Sequence, residues 1–299
     1  MSKYLLLLVF AIIIMLGPVS AQPADSGYKD EAGHSGAAVS QSSPANAQKI
    51  PPGEEQAKTA IERSPRHGEY VDLKVEGSEQ PLLTWVVYPE RKDKAPAVIV
   101  IHEIYGLTDW VRAVADQLAA EGFITVVPDM ISGKGPGEGG TASLQSRDDV
   151  AKLIRGLATE DVNMKLDTVR SYAIKLPASN GKSAVVGFCW GGSKSFSYAA
   201  AQPELNAAVV YYGTSPEEKD LGSIKAPVLG LYGGDDARVN ATIEPAAREM
   251  KKFDKVYEVE IYEGAGHGFL RQQEGRDGAN MRASQQAWVR MLGFLRKYL

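Results

Sequence analysis

The sequence predicts an α/β fold, a mainly parallel sheet with helices on both faces. Two observations carry that expectation. Stretches such as "PAVIVIH", "SAVVGF" and "APVLGLYG" are continuously apolar and rich in β-branched residues, the pattern of strands buried on both sides. Segments of helical spacing alternate with them along the chain, as parallel strands with crossover helices require. Of the 299 residues 44% are hydrophobic and 23% charged, so the core can be sizeable.

The elements follow in order. Residues 1–21 read as a secretory signal peptide: Lys3, then an apolar run from Tyr4 to Leu16, then Gly17-Pro18 and the small residues Val19-Ser20-Ala21. The run is shorter than the ~20 residues that span a bilayer, so cleavage after Ala21, with no lasting membrane anchor, is expected. Residues 22–60 are rich in Ala, Ser, Gly, Pro and Gln without an apolar period, which suggests a flexible spacer. A single domain is expected over 61–299, a length one α/β core can use entirely.

Within it, "YVDLKV" and "LLTWVVYP" form an antiparallel pair joined by a turn at Gly77 to Gln80. "PAVIVIH" is a central strand. "DWVRAVADQLAAEG" is a helix with Asp109 as its N-cap and Gly122 as its stop. "FITVVPDM" is the next strand, followed by a glycine-rich loop from Ser132 to Gly140. A helical stretch runs from about Gln145 to Leu176, with a break near Gly156. "SAVVGF" is a buried strand leading directly into the helix "GGSKSFSYAAAQ". "LNAAVVYYG", "APVLGLYG" and "VYEVEIYEG" are three further strands, and helices are expected near Ile243 to Phe253 and Asn280 to Tyr298.

A net charge of -4 without a basic block gives no reason to expect nucleic acid as a partner. No cluster with metal-ligand spacing is visible. "SGKGPGEGG" lacks the Gly-Lys-Ser/Thr of a phosphate loop, so neither metal nor cofactor is expected. The expected oligomeric state is a monomer.

The chemistry centres on the single cysteine. In "VVGFCWGGS", Gly187 and Gly191 flank Cys189 at a strand-to-helix junction, the nucleophile-elbow pattern with cysteine in the serine position. A free cysteine often merely packs in a core. Here the glycines on either side argue for a side chain lifted above the sheet at a helix N-terminus. Such a position favours a thiolate and a developing oxyanion, and brings sensitivity to oxidation. A nucleophile needs a base, and the base an orienting acid. Of four histidines (His34, His67, His102 and His267), only His267 follows the cysteine, in a glycine-rich loop after the last strand. "VLGLYGGDDARV" offers Asp235 and Asp236 as the acid, and spacing alone does not choose between them.

"IHEIYG", "GFCWGG", "YGGDDARV" and "AGHGFLR", in that order, resemble the dienelactone hydrolase family (carboxymethylenebutenolidases), from roughly Arg66 to the C-terminus. The resemblance implies an α/β-hydrolase fold and a Cys-Asp-His triad, with Cys189 as nucleophile, His267 as base and Asp236 as acid. It implies that Glu103 contacts the resting cysteine and takes part in its activation. The backbone N–H groups of Ile104 and Trp190 would form the oxyanion hole, and Arg271 and Arg147 would hold a substrate carboxylate. Gly268 stands where the family commonly has serine. The expected activity is hydrolysis of an anionic lactone or small ester by an exported enzyme, periplasmic or secreted. A broad carboxylesterase or thioesterase would need the triad without the arginines. A non-catalytic binding protein on the same fold would need neither.

Overall fold

The computed structural model describes residues 50–299; the signal-peptide reading and residues 22–49 of the expected spacer lie outside them. Eight strands form one sheet: β1 (Gly68–Leu73), β2 (Leu82–Val87), β3 (Ala95–Ile101), β4 (Ile124–Pro128), β5 (Ser179–Phe188), β6 (Ala207–Tyr211), β7 (Val228–Gly233) and β8 (Tyr257–Tyr262). Their order is β1-β2-β4-β3-β5-β6-β7-β8. Only β2 runs against its neighbours, pairing antiparallel with β1 and β4, while β4, β3 and β5 to β8 are parallel.

Strand β3 shows why the sheet is covered on both sides. All seven of its residues are buried. Val98 and Val100 face one apolar core, while Ala97, Ile99 and Ile101 face the other. The first core is closed by α2 (Asp109–Ala120) and α9 (Ala279–Tyr298) through residues such as Trp110 and Trp288. The second is closed by α4 (Thr159–Lys175), α5 (Trp190–Ala201) and α8 (Ile243–Lys252) through Leu166, Phe196 and Met250. The period-2 alternation of a strand thus loads two layers from one continuously apolar run.

The long helical stretch does break, into α3 (Arg147–Arg155) and α4, on either side of Gly156–Ala158. The α3 N-terminus is capped by Ser146, whose side chain accepts from the Asp149 N–H. At α2 the cap position belongs to Thr108 rather than Asp109, which instead pairs with Arg112 one turn on.

The domain begins earlier than residue 61. Residues 50–60, assigned to the spacer from composition, fold onto it: a 3₁₀ turn at Glu54–Gln56 leads into α1 (Ala57–Glu62), which rests on α2. Ala57 is fully buried and Ile50 and Ile61 rest against the core. Ala57 and Ile61, four apart, put one apolar face down, and a short segment needs no more than that when an existing surface receives it. Two polar contacts pin the segment: Gln273 Nε2 donates to the Pro51 carbonyl at 2.8 Å and Glu54 N–H to the Arg271 carbonyl at 3.0 Å. Two short helices, α6 (Glu218–Leu221) and α7 (Ala237–Asn240), add to those expected. No described helix is long and apolar enough to cross a membrane.

Candidate active site

The triad residues and the His102–Ile104 segment lie beyond the carboxyl ends of strands, while Trp190 and Arg147 open helices α5 and α3. His102, Glu103 and Ile104 follow β3, Cys189 follows β5, Asp236 follows β7 and His267 follows β8. β3 and β5 are adjacent where the strand order reverses, the crevice in which open α/β sheets hold ligands.

Cys189 sits at φ 55°, ψ -115°, a strained backbone for any residue with a Cβ. Its own N–H donates to the Tyr211 carbonyl at 3.0 Å, and its carbonyl accepts from Ser193 N–H at 3.1 Å, which holds the elbow between β6 and α5. The neighbouring glycines are sterically required. A Cβ on Gly187 would strike the Gly191 carbonyl, and one on Gly191 would strike the carbonyls of Ile101 and His102. The result is a sulfur raised over the sheet, within reach of the loop after β8 on one side.

That side holds His267. Its Nε2 lies 3.0 Å from Cys189 Sγ and its Nδ1 2.5 Å from Asp236 Oδ2. A carboxylate can only accept, so Nδ1 carries the proton and Nε2 is the lone-pair side facing the thiol. Asp235, open as an alternative acid from the sequence, points to the surface and pairs with Arg276 at 2.9 Å.

The backbone N–H groups of Trp190 and Ile104 lie near the sulfur and favour its anionic form. Ile104 is aimed by a neighbour. Buried His102 accepts from Met130 N–H at Nε2, so its Nδ1 is protonated and donates to the Glu103 carbonyl at 2.8 Å. Burial holds the ring's pKa below its ordinary value, against the pull of Asp129, in keeping with that neutral form. In a trans peptide the C=O and N–H point in opposite directions. Fixing the Glu103 carbonyl toward His102 therefore turns the Ile104 N–H toward the sulfur.

The thiol is not the low-pKa group expected from its helix position. Burial, helped by the Glu103 carboxylate, pushes it from 9.0 up to about 11, outweighing the two N–H donors and Arg238, which pull it down. Desolvation of the anion outweighs what the helix end returns, which favours the neutral thiol over the thiolate that the elbow alone suggests.

Opposite the histidine lies a charged row. Glu103 is buried; Arg271 Nε donates to its Oε2 at 2.6 Å, while its Oε1 has no hydrogen-bond partner among the described residues. Burial lifts the Glu103 carboxyl above its ordinary range in spite of Arg271. The two arginines expected to hold a substrate carboxylate do converge, with guanidinium carbons 5.0 Å (Arg147) and 5.2 Å (Arg271) from the centre of the Tyr105 ring. Between them is Glu54, which accepts from Arg147 through Oε1 and from Arg271 through Oε2. Sequence reasoning missed Glu54, hidden in an apparent spacer, and also the exposed Arg238, whose charge favours the thiolate from a distance. Nor do the described residues bring together three or more His, Cys, Asp or Glu side chains able to hold a metal ion.

A mainly parallel sheet with an elbow after β5 and acid and histidine loops after β7 and β8 defines an α/β-hydrolase. The chain belongs to the dienelactone hydrolase family, whose model matches residues 82–299. It is 30% identical over 239 residues to a Salmonella typhimurium protein provisionally named carboxymethylenebutenolidase, spanning 75% of this chain and 84% of that one. It is 32% identical over 183 residues to the carboxymethylenebutenolidase of Pseudomonas putida, spanning 60% and 77%. A crystal structure from Klebsiella pneumoniae, provisionally described as a dienelactone hydrolase, superposes with a TM-score of 0.69 at 26% identity, covering 78% of this chain and 99% of that one. The protein is thus a hydrolase of the dienelactone hydrolase type.

Proposed function

We propose that this hydrolase opens a lactone or small carboxylic ester through a thioester on Cys189. The observation that carries the reading is the hydrogen-bonded row Cys189–His267–Asp236 beneath two backbone N–H donors. As Sγ attacks the carbonyl carbon, its proton passes to His267 Nε2, whose imidazolium Asp236 stabilises. The Trp190 and Ile104 N–H groups, already beside the attacking atom, receive the oxygen on which charge develops. The C–O bond then breaks, and the departing alkoxide or enolate takes the proton from His267. Water, deprotonated by the same imidazole, attacks the thioester carbon and releases the acid, and the thiol regains its proton.

Because the thiol rests near pKa 11, attack depends on proton removal within the complex rather than on a standing thiolate. Glu103, whose carboxylate acts on the thiol through its charge and whose Oε1 has no hydrogen-bond partner among the described residues, is the second candidate base. The leader pattern supports export of the enzyme to the periplasm or medium. The test is hydrolysis of cis- and trans-dienelactone beside p-nitrophenyl acetate, with reduced protein and a Cys189→Ala control. Turnover that disappears in the control supports the reading, and equal turnover in the control overturns it. Turnover of the acetate alone favours a general esterase, the reading that Glu54 between the arginines recommends.

A further inference from the structure

The arginine pair is occupied from within the chain. Glu54 presents one carboxylate oxygen to each guanidinium, the two-point contact that a bound carboxylate would make. Its side chain is 28% exposed and that of Arg271 12%, so the contact is partly desolvated. Four charges, Arg147, Arg271, Glu54 and Glu103, cancel, with Tyr105 beneath both arginines. The carboxylate is also held in place. Its own N–H bonds the Arg271 carbonyl, Pro51 is tied to Gln273, and buried Ala57 follows three residues on. A carboxylate delivered by an ordered backbone competes at high effective concentration with any free one.

We propose that Glu54 is a specificity-determining residue that fills the anion subsite, so that the enzyme takes neutral esters or lactones and discriminates against substrates with a carboxylate beside the scissile carbonyl. The inference rests on the Cys189 hydrolase reading for what is hydrolysed, but not for what the arginines bind. An incoming anion must either displace Glu54 or sit beside it as a like charge, and both cost affinity. A neutral acyl group meets neither obstacle.

The experiment compares wild type, Glu54→Gln and Glu55→Gln on p-nitrophenyl acetate and on mono-p-nitrophenyl succinate. Glu55 is an exposed neighbour of the same charge, so its variant reports what charge removal does at a distance. In Glu54→Gln the succinate-to-acetate ratio of kcat/KM should rise at least tenfold, through KM of the anionic ester. In Glu55→Gln it should stay within twofold. An unchanged ratio in Glu54→Gln, or equal rises in both variants, overturns the proposal. Calorimetric titration with succinamate, which is not hydrolysed, reads the same subsite without turnover: Glu54→Gln should bind at least tenfold tighter than wild type. Equal affinity overturns the proposal even if the hydrolase reading stands. Tighter binding without turnover of any ester upholds the subsite while the hydrolase reading falls. Should Glu54→Gln melt early, Glu54→Ala, matched by circular dichroism, carries the same comparison.

Discussion

The two flanks of Cys189 are built on different principles. On the histidine side the machinery is nearly local: a strained elbow, one imidazole and one carboxylate, each at the end of its own strand. On the glutamate side four charged residues from four distant places, Glu54, Glu103, Arg147 and Arg271, neutralise one another over Tyr105. In the proposed mechanism the first flank moves a proton, and the second sets the electrostatic background in which that proton moves. Strain and hydrogen-bond direction are specified by neighbouring residues, whereas a charge balance is specified by the whole fold.

The largest effects should come from the first flank. Cys189→Ala removes the proposed nucleophile, and kcat should fall by about 10⁴ or more, checked on p-nitrophenyl acetate with reduced protein. Asp236→Asn keeps the shape but loses the carboxylate that holds Nδ1–H, and kcat should fall about 10³-fold with KM little changed. Asp235→Asn, which breaks only an exposed pair with Arg276, should leave kcat within twofold.

That difference between adjacent aspartates shows how the sequence could be read and where it stopped. The glycines around Cys189, the chain order of Asp and His, and the apolar strands all announce themselves locally, because sterics and period act over a few residues. Asp236 stood out from Asp235 only by resemblance, since the backbone turn that separates them has no composition of its own. Glu54 was illegible. Its partners lie 93 and 217 residues away, and the polar tract around it shows no period because docking onto a ready surface requires only Ala57 and Ile61. The raised thiol pKa was misread for a related reason. A helix N-terminus is visible in sequence, but burial and the approach of Glu103 are not.

His102 joins the two flanks, since one ring atom holds Met130 N–H and the other the carbonyl of Glu103. His102→Phe keeps the ring volume but leaves the buried Met130 N–H unpaired, while the Glu103 carbonyl keeps its bond from Gly106 N–H at 3.1 Å. For one buried donor stability should fall by about 1–3 kcal/mol, measured by urea unfolding. A folded preparation should also show a lower kcat, because the Ile104 N–H is less firmly aimed. His102→Asn, able to restore one of the two bonds, should recover part of both losses.

A milder effect follows from the thiol itself. Its pKa is raised on folding from 9.0 to about 11, so the folded state holds that proton more tightly than the unfolded state. The associated stability is fully present below pH 9 and is lost as pH rises to 11. At ~1.4 kcal/mol per pH unit the loss is about 3 kcal/mol. Lysines and tyrosines titrate in the same range, so the measurement is the difference between wild type and Cys189→Ala. Wild type should lose about 2 kcal/mol more than the variant between pH 9 and pH 11, the remainder of the loss falling just outside that window.

The smallest effect separates the flanks most sharply, at Glu103. Its carboxylate contributes to the raised thiol pKa, second to burial. Glu103→Gln keeps the volume and removes the charge, so the thiol should titrate lower. Alkylation of Cys189 by iodoacetamide at pH 8, slow in wild type, should quicken severalfold, since only the thiolate reacts. If Glu103 served only to suppress the thiolate, ester turnover would quicken too. If it also accepts a proton in the complex, turnover should fall while alkylation rises. That opposition is the expected result, because a carboxyl with raised pKa and a free buried oxygen is suited to taking a proton. Parallel acceleration of both reactions would make the glutamate flank purely inhibitory and leave His267 as the only base.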